Sequence, residues 1–124
     1  MDKRRRVLVV DDDVLILAAI ERQLASAHEV TVFADPELAL AQLRSGVSYD
    51  VIVCDLVMPA MSGVQFHAEL AECAPAQAER IVLMTGGSAR HDSCQAVDDL
   101  SIPTLRKPFD GDTLRRVIER LTAA

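Results

Sequence analysis

The stretch Val51-Ile52-Val53-Cys54 is apolar at every position, and its first three residues are β-branched. A strand covered on one face alternates apolar and polar residues, whereas a run apolar throughout calls for cover on both faces. That requirement points to a parallel sheet between layers of helices. Asp55 follows directly, and Pro59 and Gly63 then force the chain to turn. The run therefore delivers a carboxylate to the carboxyl end of a buried strand, the edge at which open α/β sheets bind their ligands.

The rest of the chain repeats the same alternation. Val7–Val10 is a β-branched run and predicts the first strand, followed by a helix from about Val14 to Ala25. Glu29–Phe33 alternates as a second strand. Asp35-Pro36 opens a helix with an N-cap and a proline at the first helical position, and Gly46 closes it as a C-cap. Val51–Cys54 is the third strand, and a helix over 63–73 places Phe66 and Leu70 on one face. Arg80–Met84 predicts the fourth strand. A polar helix over 89–100 rests only on Ala96, Val97 and Leu100. Ile102–Leu105 is a fifth strand, interrupted early by Pro103. Leu114, Val117, Ile118 and Leu121 give the last helix an apolar stripe. Five strand–helix units with no linker or repeat imply a doubly wound parallel sheet in one domain, residues 1–124.

Composition narrows the function. Half of the 124 residues are apolar, yet only three Phe and one Tyr are aromatic, so the core is built from Val, Leu, Ile and Ala. No apolar run is long enough to span a bilayer, and Lys3-Arg4-Arg5-Arg6 leads into too few apolar residues for a signal peptide. The basic run reads as a solvated lead-in. Cys54, Cys73 and Cys94 form no CxxC pair and read as reduced thiols of a cytoplasmic protein. A net charge of −6 argues against direct nucleic-acid binding. His28, His67 and His91 lack ligand spacing.

A parallel sheet gathers its strand ends on one edge. The first strand ends in Asp11-Asp12-Asp13, the third in Asp55, the fourth in Thr85-Gly86-Gly87 and the fifth in Lys107-Pro108. Each piece has an ordinary structural role: Asp13 suits a helix N-cap, Asp11-Asp12 suits either a cap or a metal, and Asp55 suits a turn. Together they describe a different chemistry. Crowded carboxylates attract a hard divalent cation, and Mg²⁺ takes one or two carboxylates with water and phosphate oxygens. A lysine and a threonine hydroxyl suit phosphoryl oxygens. With the incoming charge neutralised, an aspartate can accept a phosphoryl group.

The set Val9-Val10-Asp11-Asp12-Asp13, Cys54-Asp55-Leu56-Val57-Met58-Pro59, Thr85-Gly86 and Lys107-Pro108-Phe109 resembles a response regulator receiver domain over essentially the whole chain. The resemblance implies a flavodoxin-like (βα)₅ fold with strand order 2-1-3-4-5. It implies a signalling domain rather than a turnover enzyme. Asp55 would be the phosphoacceptor, and Mg²⁺ would be held by Asp11, Asp12, Asp55 and the backbone carbonyl of Val57. Thr85 and Lys107 would bind the phosphoryl group, with the Lys107-Pro108 bond cis. The phosphodonor would be a histidine kinase or a histidine phosphotransfer domain, and the output an unidentified downstream protein.

Three positions depart from the family's usual pattern. Thr104 stands where an aromatic switch residue is usual, and Val57 and Gly87 stand where polar side chains often influence phosphate lifetime. With Thr104 too small for that switch, activation is expected to act on residues 86–100. Val14–Ile20 is apolar nearly all round, which fits either deep packing or a docking surface for a phosphodonor helix. A haloacid-dehalogenase-type phosphatase would need Thr or Val at Leu15, and a dinucleotide site would need glycines where the three aspartates stand. The chain is expected to be either a stand-alone receiver or one domain of a longer protein such as a hybrid histidine kinase.

Overall fold

The computed structural model describes residues 4–86 and 102–122. Five parallel strands form one sheet: β1 (Arg6–Val10), β2 (Glu29–Phe33), β3 (Val51–Asp55), β4 (Ile81–Thr85) and β5 (Thr104–Arg106). Their order is β2-β1-β3-β4-β5, as the receiver resemblance implies. The helices are α1 (Val14–Leu24), α2 (Pro36–Arg44), α3 (Gly63–Cys73), a single turn α4 (Pro75–Ala78) and α5 (Gly111–Thr122). The expected helix over 89–100 lies outside the described residues.

Successive strand residues point to opposite faces, and the core divides accordingly. Leu8, Val10, Ile52, Cys54, Ile81 and Leu83 pack with Leu40 and Leu43 of α2 and with Phe66 and Leu70 of α3. Val7, Val9, Val51, Val53, Val82 and Met84 pack with Leu17, Ile20 and Leu24 of α1 and with Leu114 and Ile118 of α5. Every residue of β3 is buried, because β3 lies mid-sheet with helices on both faces.

Local chemistry sets the helix ends. Asp13 caps α1 by accepting from the Leu15 and Ile16 N–H groups, and Asp35 caps α2 by accepting from Glu37 N–H. At the other end of α2, Gly46 has φ +104°. Its N–H donates to Leu43 O, and Val47 N–H donates to Gln42 O, the paired bonds of a Schellman turn that glycine makes accessible.

Several strand boundaries differ from the sequence reading: β1 starts one residue earlier, at Arg6, and β3, β4 and β5 each run one residue further, to Asp55, Thr85 and Arg106. β5 starts at Thr104 rather than Ile102, since Pro103 has no N–H to donate; its carbonyl still accepts from Leu83. β4 starts one residue late because Arg80 N–H closes the turn after α4 by donating to Gln77 O. The turn α4 was not anticipated.

The core assignments carry a test. Phe66 is fully buried, whereas Leu15 is 77% exposed. Phe66→Ala is expected to lower the unfolding free energy by about 3–5 kcal/mol, and Leu15→Ala to change it by less than about 0.5 kcal/mol, in urea titrations.

Candidate functional site

The sheet order places the ends of β1 and β3 side by side. Asp11, one residue past β1, still donates its N–H to Phe33 O at 3.2 Å, so the ladder holds its backbone beyond the strand's end. Asp55 is the last residue of β3, and Leu56 N–H donates to Met84 O at 2.9 Å immediately beyond it. Both carboxylates lie inside the fold: Asp11 is 1% exposed and Asp55 8%. Asp12 turns outward to solvent. One oxygen from each of Asp11, Asp12 and Asp55 lies within 4.8 Å of the other two, a set of hard donors able to hold a cation.

Lys107 closes the site from β5. Its N–H donates to Thr85 O at 2.7 Å, tying the residue to the end of β4. Its Nζ donates to Asp11 Oδ2 at 2.9 Å and to Asp55 Oδ1 at 3.1 Å. The Lys107-Pro108 peptide is cis, as the resemblance implies. Asp11 Oδ1 in turn accepts from Asp13 N–H at 2.9 Å, which fixes the carboxylate plane from the second side.

Among the described residues, the charge balance of the cluster is negative. Two buried carboxylates this close repel by on the order of 3 kcal/mol at an effective dielectric near 20, and one ammonium offsets only part of the total charge. Burial pushes the Asp55 carboxyl above its ordinary value of 3.8, and the negative charge of Asp11 adds to this, against the opposing pull of Lys107. For Lys107, burial alone would favour the neutral amine, but the hydrogen bonds it donates to Asp11 and Asp55, with their negative charges, win and raise its pKa. The Cys54 thiol is driven well above its ordinary range by burial, with Asp55 and Asp11 adding to the shift. It is inert beside the site.

The structure thus brings Asp11, Asp12, Asp55 and Lys107 into one cluster. Thr85 sits half-buried at the end of β4, joined to Lys107 through its carbonyl. Val57 follows β3 by two residues with its side chain 52% exposed. Asp13 faces its own helix as the cap. In α1, Leu17 and Ile20 pack into the core, while Val14 and Leu15 face solvent.

One feature was not foreseen. Beside Lys107, a groove of about 450 Å³ runs between α1 and the segment after β5, lined by Ile16, Ala19, Ile20, Gln23, Pro108 and Phe109. The helical spacing of Ile16, Ala19, Ile20 and Gln23 was visible in the sequence, but its pairing with Pro108-Phe109 depends on the fold. Gln23 Oε1 is buried with no hydrogen-bond partner among the described residues.

Comparison with known proteins agrees with this geometry. The family model for the response regulator receiver domain matches residues 7–119, and the chain belongs to that family. It is therefore a signalling domain of two-component systems. It is 31% identical over 118 residues to the transcriptional regulatory protein ZraR of Salmonella typhimurium, covering 94% of this chain and 26% of that protein. It is 36% identical over 124 residues to the hydrogenase transcriptional regulatory protein HoxA of Cupriavidus necator, covering 95% and 25%. The chain thus spans about a quarter of the length of these relatives. Among solved structures, a response regulator receiver domain protein from Clostridium thermocellum superposes with a TM-score of 0.82 at 25% identity, covering 94% of this chain and 93% of that one. Because the relatives are named as transcriptional regulators, the expectation of no direct nucleic-acid contact rests on composition alone.

The raised pKa of Asp55 has a thermodynamic consequence. The folded state holds the Asp55 proton more tightly than the unfolded chain does, so ionising this group costs stability. The cost is absent below pH 3.8 and grows as pH rises through the raised value. Asp55→Asn is therefore expected to be more stable than wild type near neutrality, with the difference shrinking as pH falls toward 3.8. Urea titrations across that range check it, and a gain independent of pH contradicts it.

Proposed function

We propose that Asp55 accepts a phosphoryl group from a phosphohistidine. The observation that carries this is the single Lys107 ammonium bridging Asp11 and Asp55 within a cluster of three carboxylates. A site built only for stability would match its buried charges, whereas this one, among the described residues, leaves excess negative charge and an ammonium placed to receive an oxyanion.

In this reading Asp11, Asp12 and Asp55, with the Val57 carbonyl, hold Mg²⁺; the all-oxygen donor set fits that ion. Bound Mg²⁺ supplies charge neutralisation for the phosphoryl oxygens. An Asp55 carboxylate oxygen forms a bond to phosphorus as the phosphorus–nitrogen bond of the donor breaks, and the electron pair returns to the donor imidazole. Lys107 contributes charge at the phosphoryl oxygens, and the Thr85 hydroxyl donates to one of them. The domain catalyses its own phosphorylation and dephosphorylation, and the resulting change in charge biases a binding surface for a downstream partner.

The donor is a histidine kinase or histidine phosphotransfer domain, and the groove beside Lys107 suits it. A helix lying between α1 and Pro108-Phe109 buries apolar side chains there and brings its histidine to the sheet edge. Residues 1–124 act as one receiver domain in the cytoplasm; among the described residues no helix is long and apolar enough to cross a membrane.

Acetyl phosphate with Mg²⁺ tests the reading. Intact-mass measurement is expected to show one added phosphoryl group in wild type, and none in Asp55→Asn or with excess chelator. Equal labelling of wild type and Asp55→Asn sinks the assignment.

A further inference from the structure

We propose that Gly63 is a positioning residue for Asp55: its missing side chain lets the first turn of α3 sit against the Asp55-Leu56 backbone and holds the carboxylate in place. The inference rests on the phosphoacceptor reading above and adds a residue to it.

The start of α3 is fixed from two sides. Ser62 and Gln65 cap it reciprocally: Gln65 N–H donates to Ser62 Oγ at 3.1 Å, and Ser62 N–H donates to Gln65 Oε1 at 2.9 Å. The capped turn is then tied to the end of β3, because Gly63 N–H donates to Leu56 O at 2.8 Å. This brings the two backbones closer than any side chain allows. A Cβ at position 63 would lie 2.7 Å from Asp55 O, 2.9 Å from Leu56 Cα and 2.9 Å from Leu83 Cδ2.

The three contacts are not equivalent. Leu83 Cδ2 is the end of a side chain and can rotate away. The other two atoms are backbone, and they belong to the reacting residue and its neighbour. The strand cannot slide freely, since Asp55 pairs with Met84 in register and Leu56 N–H is bonded to Met84 O at 2.9 Å. An added methyl therefore rotates the Asp55-Leu56 peptide or breaks the Gly63–Leu56 bond. The first shifts the Asp55 carboxylate from its 3.1 Å contact with Lys107 and from the oxygens of Asp11 and Asp12. The second releases the loop that carries Val57. Both disturb the site while leaving its charged side chains unchanged.

The test compares Gly63→Ala with wild type in three measurements: the initial rate of acetyl phosphate labelling, Mg²⁺ titration followed by amide NMR shifts, and the thermal midpoint. A misplacement near 1 Å costs about a hundredfold in well-positioned chemistry, so losses of at least about tenfold are expected in labelling rate and Mg²⁺ affinity. Leu83→Val removes the side-chain contact but neither backbone contact. Added to Gly63→Ala, it is expected to leave both losses in place. Should Gly63→Ala fail to fold, the double variant is measured against Leu83→Val alone. Wild-type labelling and Mg²⁺ affinity in Gly63→Ala, or recovery of both in the double variant, overturns the proposal. If wild type binds Mg²⁺ but takes no label, the phosphoacceptor reading fails and the Mg²⁺ titration alone decides the role of Gly63. If wild type does neither, both fail.

Discussion

The Lys107 ammonium, seated between Asp11 and Asp55, is the interaction on which the site depends. Both carboxylates lie inside the fold, and the sheet delivers a cation to them. β1 and β3 are neighbours, so their terminal carboxylates arrive together. Lys107 comes from two strands further along, held to β4 through its own N–H and the Thr85 carbonyl. Its flexible stem then spans the remaining distance.

This arrangement costs stability. Burial raises the energy of an ionised Asp55, Asp11 adds repulsion, and among the described residues one lysine leaves the cluster negative. The rest of the fold offsets that strain through two apolar layers in which β3 is buried along its whole length. Capping fixes the loops around the site at low cost: Asp13 orders the turn that holds Asp11, and Ser62 with Gln65 orders the turn after Asp55. Such a cluster of oxygen donors around one ammonium is the arrangement that the proposed phosphoryl transfer requires.

Much of this was legible because its signals are local. Apolar runs such as Val51–Cys54 read directly as strands buried on both faces, and Asp35-Pro36 and Gly46 marked the ends of α2 by backbone chemistry alone. The residues of the cluster followed from listing strand ends on one edge. What the sequence withheld was relational. The turn at Pro75–Ala78 has no side-chain cap to announce it. The late start of β5 depends on which backbone groups Pro103 leaves for β4. The groove joins one face of α1 to Pro108-Phe109, far apart in the chain, and the close approach at Gly63 concerns atoms that glycine does not have.

The central claim is that Lys107 holds the ionised form of Asp55 against burial and Asp11. The ¹³C shift of the Asp55 carboxyl, followed against pH in wild type and in Lys107→Met, measures this directly. Loss of the ammonium is expected to move the Asp55 pKa further up from its already raised position. An Asp55 titration that stays where it was, or moves down, in Lys107→Met would contradict the account.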